Sequence, residues 1–178
     1  MSKKHINFDE LAERFKKIKL LALDVDGVLT DDHIFFGPEG FEMKKFHISD
    51  GFYIVLAQRT GLKIAVVSGR YSVATTTRMK DLKVKYVLQE MREKCEQIKP
   101  LLEELKLEHE QVAFVGNEIL DIKLAKKVGL SIAVADAAEE LKDEVDYVTE
   151  AKGGFGAVRE ILKAYFQGNK LDPMSVLT

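Results

Sequence analysis

Short apolar runs rich in branched residues alternate with segments of helical spacing along most of the chain. The apolar runs lie at 20–23, 64–67, 84–88, 112–115, 131–135 and 147–148. An apolar run of this length, bounded by turn residues, is typical of a strand that is covered on both faces. We therefore predict a buried sheet whose strands are separated by helices.

The segments between these runs have the apolar spacing of α-helices. They lie at 50–60, 71–82, 93–107, 119–128 and 155–166. Asn7 can cap a further helix near the start of the chain, with Glu10 as its capping-box partner. The alternation of strand and helix predicts an α/β fold, a parallel sheet with helices on both faces.

The segment at 31–48 interrupts this alternation. Two apolar stretches flank the sequence Gly-Pro-Glu-Gly at 37–40, and this combination strongly favours a turn. We predict a small β-hairpin flap here that projects from the sheet. The length of 178 residues fits a single domain at 1–178, with an irregular and flexible tail at about 168–178.

The first strand ends in an acidic turn, which is the most informative feature of the sequence. Asp24 closes the first apolar run, Asp26 follows two positions later, and Gly27 allows a sharp turn. Two carboxylates at the tip of a buried strand are costly unless a cation lies beside them. The pattern indicates a hard metal ion, with one carboxylate free to act on a substrate. The alternative is that both carboxylates merely cap a turn.

Polar groups also follow other predicted strands, at the edge where the carboxyl ends of parallel strands meet. They are Ser68-Gly69-Arg70 after 64–67, Lys94 after 84–88, and Asn117, Glu118 and Asp121 after 112–115. Ligands bind at this edge in open α/β sheets, and a hydroxyl with backbone N–H groups before a helix suits a phosphate. Because these groups are placed independently, their convergence at one edge indicates a shared site.

Each of these groups also has a plain structural explanation. Ser68 could be the N-cap of the helix after it, Lys94 a solvated helix lysine, and Asp121 a first-turn carboxylate that interacts with the helix dipole. Cys95, the single cysteine, could be a reactive thiol, although a small buried core residue is the expected role.

Composition and charge exclude several classes of protein. Hydrophobic residues make up 46% of the chain and charged residues 31%, which is ordinary for a soluble globular protein. The net charge of -2 and the lack of a long basic run give no reason to expect nucleic acid. No apolar run approaches the length of a membrane span, and the start of the chain lacks a signal-peptide core, so we expect a cytoplasmic protein without membrane insertion.

The acidic turn permits a specific chemistry. An aspartate can attack phosphorus and form an aspartyl-phosphate, but because two anions must meet, Mg²⁺ and cationic donors are needed nearby. Asp24 is placed to be both nucleophile and metal ligand, while Asp26 can protonate the leaving alkoxide and then activate water. Ser68 with Gly69, and Lys94, would hold the phosphoryl oxygens, and the loop 117–121 would complete the metal site.

Motifs along the chain resemble those of phosphatases in the haloacid dehalogenase (HAD) superfamily. The motifs are DVDGVLTD, VVSGR, Lys94 and GNEILD. The short hairpin in place of a large cap, the segments HISDG and SGRYSVATTTR, and the ending VTEAKGGFGAVREI are similar to the family of 3-deoxy-D-manno-octulosonate (KDO) 8-phosphate phosphatases.

The resemblance implies a Rossmann-like HAD fold and the hydrolysis of a sugar-acid phosphate, KDO 8-phosphate, in lipopolysaccharide biosynthesis. It also implies a Mg²⁺ cofactor. The enzyme would be a cytoplasmic homotetramer in which the hairpins form a central barrel and neighbouring subunits help to close each active site. A lone short hairpin could not screen an active site from water by itself.

The resemblance further implies a role for each matching residue. Asp24 corresponds to the nucleophile and metal ligand, and Asp26 to the acid/base, which also gives its backbone carbonyl to the metal. Substrate contacts correspond to Asp26, His47, Ile48, Ser49, Asp50, Gly51, Arg70, Arg78 and Lys94. A guanidinium can grip a sugar carboxylate with two hydrogen bonds. The alternative for Arg78 is an exposed helix arginine.

The chain departs from the family pattern at the metal site. The family usually has Asp-Asp after the glycine, and the first aspartate binds Mg²⁺, whereas this chain has Asn117-Glu118. Asn117 can still coordinate through its amide oxygen, but without a negative charge. We therefore expect weaker Mg²⁺ binding unless Glu118 or Asp121 compensates. Val55 also stands where the family tends to carry another polar substrate contact.

These departures leave two other functions open. A phosphatase for a nine-carbon sialic-acid-type sugar phosphate shares this fold and cap size, and the missing polar contact at Val55 leaves the exact sugar open. A catalytically weakened scaffold that kept the fold and the oligomer is the other possibility, because Asn117 replaces an expected carboxylate.

Overall fold

A parallel six-stranded sheet forms the centre of the structure, a computed structural model that describes residues 4–177. The strands are β1 (Leu20–Leu23), β2 (Phe35–Phe36), β3 (Glu42–Met43), β4 (Lys63–Val67), β5 (Tyr86–Leu88), β6 (Val112–Gly116), β7 (Leu130–Ala133) and β8 (Tyr147–Val148). The sheet has the order β5-β4-β1-β6-β7-β8. Every strand predicted from an apolar run is confirmed, with ends that shift by at most two residues.

Helices connect the strands of this sheet. Those of the described residues are α1 (Phe8–Phe15), α2 (Ile48–Arg59), α3 (Val73–Asp81), α4 (Lys94–Gln97), α5 (Lys99–Leu105), α6 (Ile122–Ala125), α7 (Glu139–Lys142) and α8 (Ala157–Gly168). α8 packs against α1 and α2, while α4 packs against α5 and α6. The chain leaves β1 for β4 and β5 and then returns to β6 on the other side, so crossovers of the usual right hand place these two groups on opposite faces. The predicted α/β class is confirmed.

β1 lies at the centre of the sheet, between β4 and β6. All four of its residues are buried. Because the strand order reverses direction at β1, a crevice opens at the carboxyl end of this strand, and ligands bind in such crevices. The predicted capping box at the start of α1 is also confirmed, since Asn7 Oδ1 accepts a hydrogen bond from Glu10 N at 2.9 Å.

Two of the predicted helices are broken by local chemistry. The segment 93–107 forms α4 and α5, which are separated at Ile98. Pro100 lies in the first turn of α5, where its missing N–H is harmless, whereas a continuous helix would need that donor. The segment 119–128 begins as a 3-10 helix at Ile119–Asp121 and continues as α6. The four-residue α7 has no counterpart among the predicted segments.

The segment that interrupts the sheet contains a small hairpin. β2 and β3 pair antiparallel around a 3-10 turn at Pro38–Gly40. Gly40 has a φ of +78°, a conformation that glycine adopts without steric cost. An antiparallel bridge between Thr30 and Phe46 closes the base of the hairpin, so its two strands leave and return beside the acidic turn after β1.

The last described residues fold back onto α2. Pro173–Val176 forms a 3-10 helix within the tail that the sequence suggested to be irregular. Arg59 Nη1 donates hydrogen bonds to the carbonyl oxygens of Val176 and Leu177, at 2.7 and 3.0 Å. Across residues 4–177, no helix has the length and apolar character needed to cross a membrane.

Candidate active site

Neighbouring strands bring the predicted site residues together at their carboxyl ends. Asp24 directly follows β1, Ser68 follows β4 and Asn117 follows β6. All three are buried, with exposed fractions of 7%, 1% and 6%. The polar groups that were singled out along the sequence therefore share one crevice, at the point where the strand order reverses.

A buried ammonium joins two carboxylates at the centre of this crevice. Lys94 Nζ donates to Asp24 Oδ2 at 2.5 Å and to Asp121 Oδ1 at 2.7 Å. The other oxygen of Asp24 accepts from Val25 N at 2.7 Å, and the other oxygen of Asp121 accepts from the backbone N–H groups of residues 117 and 118. Lys94 is therefore not a solvated lysine, and Asp121 does more than interact with a helix dipole.

The charges in this cluster do not balance. Burial raises the pKa of Asp24 to about 7, with Lys94 lowering it and Asp121 raising it further. Burial lowers the pKa of Lys94, but its two carboxylate partners outweigh this effect and leave that pKa raised. Two carboxylates share one ammonium, so the cluster favours an additional cation.

Oxygen atoms suited to a metal surround the turn at Gly27. Gly27 has a φ of +78°, and a Cβ there would collide with the amide of Asn117, so glycine is needed for that amide to approach the turn. Mg²⁺ prefers hard oxygen ligands, which the Asp24 carboxylate, the Asp26 carbonyl and the Asn117 amide can supply. Only one of these three ligands is a carboxylate, and the described residues contain no group of three or more His, Cys, Asp or Glu side chains that could hold a metal. The residues present fit Mg²⁺ with a reduced ligand charge.

The loop after β4 turns around the Ser68 hydroxyl. The Ser68 hydroxyl donates to Arg70 O at 3.1 Å and accepts from Arg70 N at 3.3 Å. α3 is capped by Ser72, whose side chain accepts from Thr75 N, so the alternative that Ser68 is the helix N-cap is wrong. A Cβ at Gly69 would meet no described atom within 4 Å, which leaves open space beside Ser68.

The hairpin contributes two residues that the sequence analysis missed. Lys44 Nζ donates to Asp26 Oδ1 at 2.6 Å, and the Lys44 side chain is completely buried. Glu42 accepts from Ser72 Oγ at 2.7 Å and from Arg70 Nη2 at 3.1 Å. The signal available in the sequence was the alternation at 41–46, which puts Glu42 and Lys44 on the same face of a strand.

The resemblance assigns substrate contacts to the segment at 47–51. In the structure this segment forms the N-cap and first turn of α2. Asp50 is 1% exposed, and its Oδ1 accepts from Arg159 N at 2.7 Å in the first turn of α8. His47 Nδ1 lies 3.5 Å from the other Asp50 oxygen, while Ile48 and Ser49 are exposed and half-buried. Burial raises the pKa of Asp50, despite the backbone donors of α8 and His47 that lower it. Within this chain, Asp50 stabilises the start of α8.

Arg78 is held against the first turn of α2. Its Nη1 donates to Asp81 Oδ2 at 2.7 Å, and its side chain is 22% exposed. A Cβ at Gly51 would collide with Nη2 of Arg78, so glycine allows the guanidinium to lie close to this turn. The alternative of an exposed helix arginine does not describe this position. Cys95, by contrast, is a free and buried cysteine, as expected.

Comparisons with known proteins agree with this geometry. The model of the haloacid dehalogenase-like hydrolase family matches residues 86–162. The 3-deoxy-D-manno-octulosonate 8-phosphate phosphatase of Escherichia coli strain K12 is 40% identical over 152 residues, which cover 85% of this chain and 81% of that protein. That of Salmonella typhi is 41% identical over 146 residues, covering 82% and 78%.

Solved structures show the same similarity. The Moraxella catarrhalis 3-deoxy-D-manno-octulosonate 8-phosphate phosphatase, in complex with magnesium, phosphate and KDO, aligns with a TM-score of 0.90 and 31% identity over 95% of this chain and 98% of that one. The cobalt-bound phosphatase of Haemophilus influenzae aligns with a TM-score of 0.84 and 34% identity, covering 88% and 92%.

The sheet, the acidic turn after β1 and the buried Lys94 cluster define a phosphoric monoester hydrolase of the haloacid dehalogenase class. Within this class, the chain belongs to the 3-deoxy-D-manno-octulosonate 8-phosphate phosphatase family.

Proposed function

We propose that this protein hydrolyses KDO 8-phosphate to KDO and inorganic phosphate, with Mg²⁺ as cofactor and an aspartyl-phosphate intermediate on Asp24. The observation that carries the proposal is the buried Asp24–Lys94–Asp121 cluster beside Asp26. The relatives that are 40% identical, and the neighbour that holds magnesium, phosphate and KDO, support the substrate and the cofactor. A cytoplasmic place in lipopolysaccharide synthesis is part of the same proposal and rests on the resemblance of the sequence motifs alone.

The proposed reaction assigns each step to one residue of this site. Asp24 attacks phosphorus, and Asp26 gives a proton to the oxygen of the leaving sugar as the bond between that oxygen and phosphorus breaks. Asp26 then takes a proton from water, which attacks the aspartyl-phosphate and regenerates Asp24. Lys94, the Ser68 hydroxyl and the N–H group of Gly69 hold the phosphoryl oxygens.

Mg²⁺ would be held by the Asp24 carboxylate, the Asp26 carbonyl and the Asn117 amide. It supplies positive charge that offsets the repulsion between the phosphate and the carboxylates. Asp121 uses both of its oxygens on Lys94 and on backbone N–H groups, so it contributes by holding Lys94. Arg70 and Arg78 are the cations proposed for the sugar carboxylate.

We further propose that the protein is a homotetramer assembled through the hairpins. The hairpin exposes large apolar side chains, and exposed apolar patches mark interaction sites. They are Phe35, Phe36, Phe41 and Met43, with exposed fractions of 50%, 69%, 65% and 48%. Light scattering of the purified protein would test the tetramer, and a monomeric mass would contradict it.

The substrate is tested by Mg²⁺-dependent phosphate release from KDO 8-phosphate and from a nine-carbon sialic-acid-type phosphate. We expect kcat/KM to be at least about tenfold higher for KDO 8-phosphate, since each misfitting contact is worth about 1–3 kcal/mol. Val55 packs against the core, so the missing polar contact at this position leaves the exact sugar open and makes the comparison necessary. Similar values for both sugars would remove the substrate claim and leave the family.

The Asp24→Asn variant tests the chemistry. We expect it to lower kcat by at least about 10³-fold, because no other group can form the covalent intermediate. Turnover that survives in this variant would contradict the mechanism. Absence of turnover in the unmutated protein on any sugar phosphate would favour a scaffold that has lost its activity.

A further inference from the structure

The hairpin carries a lysine whose burial is unusual for its position. Lys44 directly follows β3, a two-residue strand on an exposed flap, yet its side chain is 0% exposed. An ammonium is costly to bury unless an anion lies beside it. The partner here is Asp26, whose Oδ1 accepts from Lys44 Nζ at 2.6 Å.

The contact fixes the direction of the Asp26 carboxylate. Lys44 holds one oxygen, and the second oxygen, Oδ2, lies 3.8 Å from Arg70 Nη1 on the loop after β4. The side chain of Asp26 is 22% exposed, so it is not held by close packing alone. Its orientation therefore depends on the charged groups around it.

Glu42 anchors the lysine in turn. One Glu42 oxygen accepts from Ser72 Oγ and the other from Arg70 Nη2, which ties β3 to the start of α3. The same residue lies 3.8 Å from Lys44 Nζ. The Lys44 and Glu42 side chains leave the same face of the hairpin, so docking of the hairpin and orientation of Asp26 occur together.

The next residue provides an internal comparison. Lys45 Nζ donates to Asp31 Oδ2 at the same distance of 2.6 Å, but its side chain is 54% exposed and its ammonium lies over the Phe155 ring. Adjacent lysines of one hairpin thus make one buried contact to the acid/base and one exposed contact away from it.

We propose that Lys44 is a positioning residue that aims the Asp26 carboxylate at the oxygen of the leaving group, acting through Asp26 rather than on the phosphate. The proposal rests on the proposed function, in which Asp26 is the acid/base. In this proposal the hairpin is a flap and also orients the acid/base through Lys44.

The choice of leaving group tests this role. A sugar alkoxide must be protonated as it leaves, whereas p-nitrophenolate leaves without help. We expect Lys44→Met to lower kcat by about 10- to 100-fold for a sugar phosphate, part of the contribution that general-acid catalysis makes, and by no more than about 3-fold for p-nitrophenyl phosphate. Lys44→Arg, which keeps the charge and the donors, should restore much of the loss.

Lys45→Met is the matched control and should leave both substrates unchanged. Equal losses by Lys44→Met on both substrates would indicate a merely structural role and overturn the proposal, as would no loss on either. If Lys44→Met does not fold, Lys44→Gln, which keeps a donor, undergoes the same comparison.

A double-mutant cycle separates this proposal from the proposed function. In an Asp26→Asn background, Lys44→Met should lower kcat no further, because the residue through which it acts is already disabled. Independent, multiplying losses would overturn the positioning role while leaving the phosphatase assignment intact.

Failure of the unmutated protein to hydrolyse KDO 8-phosphate would instead overturn the proposed substrate. The leaving-group comparison would then use the sugar phosphate that the protein does hydrolyse, and turnover of none would overturn both.

Discussion

The buried cluster at the end of β1 and the charged side chains carried by the hairpin differ in what holds them in place. Asp24, Lys94 and Asp121 extend from elements of the main fold and are enclosed by the core, with exposed fractions of 7%, 5% and 0%. Glu42 and Lys44 sit on a hairpin with two-residue strands, where Lys44 contacts Asp26 and Glu42 contacts Arg70 and Ser72. We infer that the position of the nucleophile Asp24 is fixed by the main fold. The orientation of the acid/base Asp26 depends in addition on how the hairpin docks.

Removal of the central cation should produce the largest change in stability. In metal-free protein, Lys94→Met leaves Asp24 and Asp121 as buried carboxylates without their ammonium, which should cost about 3–5 kcal/mol of unfolding free energy. Urea unfolding of the variant measures this. Lys45→Met on the hairpin breaks an ion pair of similar length, 2.6 Å, in which the lysine is exposed, and should cost at most about 1 kcal/mol. An equal loss of unfolding free energy in the two variants would contradict the difference proposed between the cluster and the hairpin.

The pH dependence of the unfolding free energy should reveal the cost of burying the charge of Asp24. Burial raises the pKa of Asp24 from 3.8 to about 7, so the folded state holds that proton more tightly than the unfolded chain does. Asp24 ionisation should therefore lower the stability of metal-free protein as pH rises through this window. The Asp24→Asn variant has no carboxyl group to ionise at this position. We therefore expect its unfolding free energy to rise relative to that of the unmutated protein between pH 4 and pH 7. A difference that stays constant with pH would show that Lys94 already compensates the charge.

A substitution at the metal site should have a smaller effect than the loss of Lys94. It adds a negative charge beside the cluster instead of removing a positive one. Asn117→Asp adds a second carboxylate to the Mg²⁺ ligands, so it should lower the half-saturating Mg²⁺ concentration by about tenfold, or ~1.4 kcal/mol. Titration calorimetry measures the affinity directly, and activity against Mg²⁺ gives a second readout. The same variant should be less stable without metal, because it adds a charge to an already unbalanced site. A requirement for as much Mg²⁺ as before, or more, would contradict the assignment of Asn117 as a ligand.

The sequence predicted the cluster better than the hairpin for a physical reason. Asp24, Ser68 and Asn117 each directly follow a strand, and parallel strands bring their carboxyl ends to one edge whatever the side chains do. The contact between Lys44 and Asp26 depends on how the flap docks, which no periodicity encodes, and the contact between Asp50 and α8 spans 109 positions. The breaks in 93–107 and 119–128 were also missed, since they arise from Pro100 and from the turn that binds Asp121.

Asp50 shows how a residue matched by resemblance can have a structural role, and its expected effect is the smallest. Asp50→Ala removes the acceptor for Arg159 N in the first turn of α8, so it should cost about 1 kcal/mol of unfolding free energy, as loss of a helix cap does. Asp50→Asn keeps an acceptor oxygen and removes a buried charge whose pKa is raised by burial, so it should retain the stability of the unmutated protein. Chemical denaturation of the two variants measures the difference. An Asp50→Ala variant that keeps full stability and only raises KM would instead make Asp50 a direct contact of the sugar, and would extend the substrate site from the hairpin onto α2.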